Sequence, residues 1–135
     1  MDDGATIARQ YVDLFNADPE MAATGPVAAG ITFRMNGSDL PPGLPTLQGR
    51  MAAFREAAPD RRVEAQLVVA DGSEVAVRYR VTGTHTGVLR LPTGIELPPS
   101  GREFSYVGAM FLRIEDGLVV HEEAIGDLVG ALREN

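Results

Sequence analysis

The 135 residues contain no cysteine, so disulfide frameworks and thiolate metal sites are excluded and redox chemistry gives no clue to compartment. Histidine is nearly as scarce: His85 and His121 are the only two, few for a metal centre. Nor is there a basic cluster. Twelve Lys plus Arg stand against nineteen Asp plus Glu, for a net charge of -7. The basic residues are scattered, no stretch can track a phosphate backbone, and nucleic acid is not an expected partner. Long apolar runs are missing as well. Nowhere do about eighteen apolar residues follow one another, and the acidic start MDDGATIARQ lacks the charged-then-apolar pattern of a secretory leader. The expectation is a soluble, cytoplasmic protein with no membrane partner. Repeats, low-complexity tracts and linkers are also absent, and the length suits one domain, 1-135, with a single core.

What is present reads as helices followed by strands. Ile7, Tyr11, Leu14 and Phe15 recur at helical spacing behind Asp2 and Asp3, and the pattern stops at Asn16-Ala17-Asp18-Pro19. Residues 20–29 are alanine-rich and suggest a weaker second helix, short or broken because of Gly25-Pro26. Ile31 to Met35 alternates as a strand, PPGLP reads as a loop, and Leu47, Met51 and Phe54 mark a helix closed by Pro59. Strands are expected over 63–70 and 74–85, joined at Asp71-Gly72-Ser73. Pairing residues whose numbers sum to 144 sets Val63 against Val81, Ala65 against Tyr79, Leu67 against Val77 and Val69 against Val75. The opposite face then places Glu64 by Arg80 and Gln66 by Arg78. Residues 87–101 are too rich in Gly and Pro for a strand and read as a long, semi-rigid loop. Strands over 103–114 and 118–126 flank Asp116-Gly117, a hairpin signal. Helices first and an antiparallel sheet afterwards make an α+β domain with helices on one sheet face.

Within the last strand lies HEEAIGD, residues 121–127, with a histidine and three carboxylates in an otherwise apolar segment. With Asp116-Gly117 as the turn, partners sum to 233: Leu112 faces His121, Met110 faces Glu123 and Tyr106 faces Asp127. The other face carries Arg113, Phe111, Ala109 and Val107 against Val120, Glu122, Ala124 and Gly126. Both faces are largely apolar, so the sheet needs two covers, helices on one side and a second copy of the chain on the other; a homodimer through the outer face is expected. His121 and Asp127 stand about 20 Å apart along the strand and form no dyad. Asp127 can reach Tyr106 as an acid/base couple, and Glu123 is a further carboxylate along that face, unless an arginine holds it.

The stretches VRYRVTGTHTG (77–87), PPSGREFSYVG (98–108), FLRIEDGLVV (111–120), Asp127 and YVDLFNAD (11–18) resemble the SnoaL-like polyketide cyclases, also known as ester cyclases, of the NTF2-like superfamily. The resemblance spans nearly the whole chain. It implies an NTF2-like, cone-shaped α+β barrel, a curved antiparallel sheet wrapped by amino-terminal helices around one pocket, usually in a dimer. It also implies acid/base, aldol-type ring closure without metal or organic cofactor, with Asp127 at the position of the family's catalytic aspartate. Many relatives carry aromatic residues at the positions of Glu123 and Gly126, so pocket shape and polarity differ in this chain. The superfamily includes epoxide hydrolases, ketosteroid isomerases and non-catalytic binders as well, and fold alone does not decide among them.

Four residues are therefore candidates for chemistry. Asp127 would take a proton from a carbon flanked by carbonyls, although it also stands before the apolar-spaced segment 128–132, where aspartate is a preferred helix N-cap. Tyr106 would hydrogen-bond a carbonyl or enolate. His85, on the parity of Tyr79 and Val81, would be a second acid/base at the pocket mouth or a tie for the loop at Gly87. Glu123 would be a second carboxylate. Tyr11, Phe15, Phe54, Tyr79 and Met110 are expected as pocket wall, Asn36 as a polar group at the mouth with Arg34 exposed beside it, and His121 at the barrel end. The expected substrate is a small apolar, polyketide-type molecule. Alternatives are epoxide opening by Asp127 and Glu123, and ligand binding without turnover.

Overall fold

The computed structural model describes residues 3–91 and 94–134. Asp2, and Pro92 and Thr93 of the expected loop, lie outside the described residues. Helix α1 (Gly4–Leu14) begins where the Asp3 carboxylate accepts the Thr6 N–H at 2.7 Å, an N-cap that satisfies one of the helix's orphan donors. Its stripe of Ile7, Tyr11, Val12 and Leu14 is buried. The expected second helix is a single 3₁₀ segment, Pro19–Thr24, and residues 27–29 already belong to β1 (Val27–Met35). Sheet pairing decides this: Val27 is held beside Val119 of the last strand. A short β2 (Ser38–Leu40) folds back on β1, where only a loop is expected. Helix α2 (Leu44–Ala57) follows, with Leu47 and Met51 fully buried.

The long strands are β3 (Arg62–Asp71), β4 (Glu74–Thr84), β7 (Glu103–Glu115) and β8 (Leu118–Ile125). A two-stranded hairpin, β5 (Leu89–Arg90) and β6 (Glu96–Leu97), lies within the segment expected to be irregular. The main sheet runs β2-β1-β8-β7-β4-β3. It is mixed rather than wholly antiparallel, because β1 pairs parallel to β8. Such a pairing needs a long crossover, and the whole of α2 to β7 supplies it. Helix α3 (Leu128–Glu134) closes the chain. The result is a curved α+β architecture of the kind the sequence resemblance implies, with α1 and α2 packed on the inner sheet face.

Two β-bulges correct the expected registers. In β3–β4 the sum of 144 holds for Val63–Val81, Glu64–Arg80 and Ala65–Tyr79, then slips at Gln66, so that Leu67 faces Arg78 and Val68 faces Val77. Leu67 and Val69 consequently point outward, 49% and 55% exposed. In β7–β8, Ile114–Val119 fits the expected register, but an extra residue at Val120 shifts the rest: Arg113 meets His121, Leu112 meets Glu122, Phe111 meets Glu123 and Met110 meets Ala124. The turn itself is as expected, with Asp116 (φ 52) and Gly117 (φ 76) both in the left-handed region that a two-residue hairpin uses.

Candidate functional site

The shift at Val120 decides which carboxylate enters the protein. Glu122 is 0% exposed on the inner face, whereas the Glu123 side chain stays 40% exposed on the outer face with Arg34 Nε at 4.0 Å. Glu123 thus lies beside an arginine at the surface, and it pairs with Phe111 rather than with the expected Met110. His121 also faces outward, with Nδ1 2.6 Å from the Thr32 hydroxyl.

Glu122 is fixed by two distant parts of the chain. Arg50 on α2 donates from both terminal nitrogens, Nη1 to Oε1 and Nη2 to Oε2, each at 2.9 Å, and the Tyr11 hydroxyl of α1 donates to Oε1. Bidentate pairing gives the carboxylate a fixed plane. The guanidinium in turn lies 5.2 Å from the Phe15 ring centroid and 5.3 Å from that of Phe33, close enough for cation–π attraction. Burial pushes the Glu122 pKa up, but the Arg50 charge and the hydrogen bonds from Arg50 and Tyr11 outweigh it, so the carboxyl lies below its ordinary value. Burial works against the Arg50 charge and Glu122 restores it. Tyr11, pushed up by burial and by the Glu122 charge, stays a neutral donor.

This ion pair faces a cavity of about 120 Å³ on the inner side of the sheet. Phe15, Phe54, Val63, Tyr79, Tyr106 and Met110 are among its walls, with Arg50 and Glu122 at one side and Leu89 to Leu91 at another. Tyr79 and Tyr106 meet edge to face, ring centroids 6.5 Å apart. Burial, then the Glu122 charge, takes the Tyr79 pKa up to about 12. Tyr106 is raised too, first by burial, then by Tyr79, with Asp127 contributing to the rise. Two glycines make room for the Tyr79 hydroxyl: a Cβ at Gly108 would stand 2.5 Å from Oη, and one at Gly126 3.1 Å.

Of the expected wall residues, Phe15, Phe54, Tyr79 and Met110 line the cavity, and Tyr11 lies behind it as the donor to Glu122. Tyr106 lines it as well, but not as the ladder partner of Asp127, because β8 ends at Ile125. Asp127 is exposed, and its Oδ1 accepts the Gly130 N–H at 2.8 Å, the cap of α3. Asn36 is exposed away from the cavity and exchanges two hydrogen bonds with the Gly126 backbone, at 2.9 and 3.0 Å, which ties the end of β1 to the end of β8. His85 is buried, but it is not part of the cavity lining; its backbone pairs with Arg102 and Gly101, and its ring nitrogens have no partner among the described residues. Arg50 and Glu122 are the residues that sequence reasoning missed. One signal was available: Arg50 sits three residues after Leu47 and four before Phe54, inside the apolar stripe of α2, where a cation needs a buried anion. Among the described residues no group of three or more His, Asp or Glu is placed to hold a metal ion, and no helix is long and apolar enough to cross a membrane.

A curved sheet, two covering helices and an apolar cavity with a small polar corner, all among the described residues, make up a geometry of the kind in which small-molecule sites are commonly found. A family model described as SnoaL-like polyketide cyclase matches residues 5–135, and the chain belongs to that family. No curated protein matches it. Solved structures share the fold. A SnoaL-like polyketide cyclase from Agrobacterium tumefaciens is 22% identical, with 99% of this chain and 98% of the other covered and a TM-score of 0.75. TsrD from Streptomyces laurentii is 20% identical, with 98% and 96% covered and a TM-score of 0.77. A Catenulispora acidiphila protein described as having a ketosteroid isomerase-like fold is 17% identical, with 94% and 89% covered and a TM-score of 0.73.

Proposed function

We propose that the protein closes a ring in a small polyketide-type molecule by acid/base chemistry in this cavity, with neither metal nor organic cofactor. The observation that carries the reading is the meeting of an ionised carboxylate, Glu122, and two neutral hydroxyls, Tyr79 and Tyr106, on one apolar cavity. Glu122 takes the proton from a carbon flanked by two carbonyls. The enolate oxygen accepts a hydrogen bond from Tyr79 or Tyr106. The enolate carbon then attacks a second carbonyl of the same molecule, and the resulting alkoxide recovers the proton from Glu122. Arg50 loses its counter-charge as Glu122 is protonated, at the moment when the enolate becomes negative, so the ion pair supplies both base and compensating charge. Enclosure contributes too, since holding reacting ends together is worth on the order of 7 to 11 kcal/mol.

A second reading keeps Asp127 as the base, favoured by the effect of its charge on Tyr106. The two are separated by assaying ring closure of linear 1,3,7-tricarbonyl probes, in which C2 attacks the C7 carbonyl to close a six-membered ring, with Glu122→Gln, Asp127→Asn and Tyr106→Phe, each checked for folding by circular dichroism. Loss of turnover in folded Glu122→Gln with Asp127→Asn active supports the first reading. The reverse pattern assigns the base to Asp127, and no turnover by the parent protein favours binding without chemistry over both.

Features of the outer face support a proposal on assembly. Leu67, Ala109 and Ile125 occupy one row across the sheet, interrupted by Arg78, and Val69, Ala76 and Phe111 occupy the next. Phe111 is 44% and Ile125 52% exposed. A second copy of the chain covers these rows as a homodimer. Light scattering tests it: the parent should have twice the chain mass, and Phe111→Lys should shift it toward monomer.

A further inference from the structure

The cavity limits what it can hold in three ways. Its volume, about 120 Å³, is close to the apolar cavity of about 150 Å³ that holds one benzene ring elsewhere. One six-membered ring fills it. Next, neither the Tyr79 nor the Tyr106 hydroxyl has a hydrogen-bond partner among the described residues, and both stay protonated. Both residues line the cavity, so each hydroxyl is placed to donate to an oxygen of a molecule held there. Gly108 and Gly126 keep the space at the Tyr79 hydroxyl free of side chain. Finally, Arg90 belongs to the lining while its side chain remains 53% exposed, which marks the place where the cavity meets solvent.

We infer that the site takes its substrate one ring at a time: it recognises a planar, ring-sized segment whose oxygen, a phenol, enol or cyclic 1,3-diketone, accepts from Tyr79 or Tyr106, while the rest of the molecule passes out beside Arg90. This rests on the reading of the cavity as the substrate site. It adds a rule on position: the recognised oxygen belongs to a terminal ring, because an oxygen on a central ring can reach the tyrosines only if its neighbours are buried alongside.

Phenol, 2-naphthol and 9-phenanthrol test this rule, titrated into the protein while the Met110 and Val81 methyl resonances are followed by NMR. Phenol and 2-naphthol should shift both resonances, with 2-naphthol at least tenfold tighter than 9-phenanthrol. Tyr79→Phe combined with Tyr106→Phe, shown to be folded by its methyl spectrum, should weaken 2-naphthol by about fivefold to tenfold. Equal binding of 9-phenanthrol at Met110 would overturn the one-ring limit and leave the cavity as a ligand site. Undiminished binding in the double variant would overturn oxygen recognition by the tyrosines. No shift with any of the three compounds would overturn both this inference and the cavity reading beneath it.

Discussion

Glu122 and Glu123 are neighbours in sequence and opposites in circumstance. One is enclosed, held by Arg50 and Tyr11, and faces a cavity; the other is half exposed, with an arginine 4.0 Å away. Chemically identical side chains thus differ by everything that surrounds them. An enclosed carboxylate depends on its partners because it has left water, and those partners sit on helices far away in sequence. A carboxylate at the surface keeps its hydration, and its ion pair contributes little. The inner residue therefore links α1, α2 and β8 in one arrangement, while the outer one leaves the fold almost indifferent to it.

The sharpest way to break this contrast is Arg50→Met, which strands Glu122 without its counter-charge. Urea denaturation should show a loss of about 3–5 kcal/mol, and adding Glu122→Leu to that variant should recover much of it. Close behind comes Gly108→Ala, whose Cβ would press on the Tyr79 ring and hydroxyl; overpacking of this kind costs about 1–3 kcal/mol, measurable in the same way. Acid titration sharpens the comparison further. The folded-state pKa of Glu122 is depressed, so its contribution is complete above the ordinary glutamate value and is lost as pH falls through the lower, folded value. The parent should lose stability across that acidic window, and Glu122→Gln should flatten the part of the pH profile due to this group. Asp127→Ala removes the cap of α3 and should cost about 1 kcal/mol. Smallest of all, Glu123→Ala should change stability by less than about 0.5 kcal/mol; a cost as large as that of Arg50→Met would abolish the distinction between the two glutamates.

Much of the fold was legible because it depends on local pattern. The stripe from Ile7 to Leu14 with its acidic cap, the stripe of α2 and the Asp116-Gly117 turn each carry their instructions within a few residues. The pairing of Val63 to Ala65 with Val81 to Tyr79 was legible for the same reason, since both faces agree there. The bulges at Gln66 and Val120 were not, because an extra residue is accommodated by the neighbouring strands and helices rather than specified by alternation. That one slip at Val120 exchanged Glu123 for Glu122 in the candidate site. The start of β1 was hidden as well: Ala28, Ala29 and Gly30 have little strand preference, and they lie in an irregular stretch between Val27 and Thr32, which pair with β8. The Arg50–Glu122 pair joins residues 72 positions apart, and only the odd placement of Arg50 among apolar neighbours hinted at it.

The bulge at Val120 acts like a change of reading frame in an alphabet of two letters, inward and outward. Upstream of it Val119 is read as inward; downstream, Glu122 and Ala124 are. A bulge relocated past residue 123 would read His121 and Glu123 into the cavity from the same HEEAIGD string. The same string thus carries two inward sets, Glu122 with Ala124 or His121 with Glu123, and the place of one extra residue chooses between them.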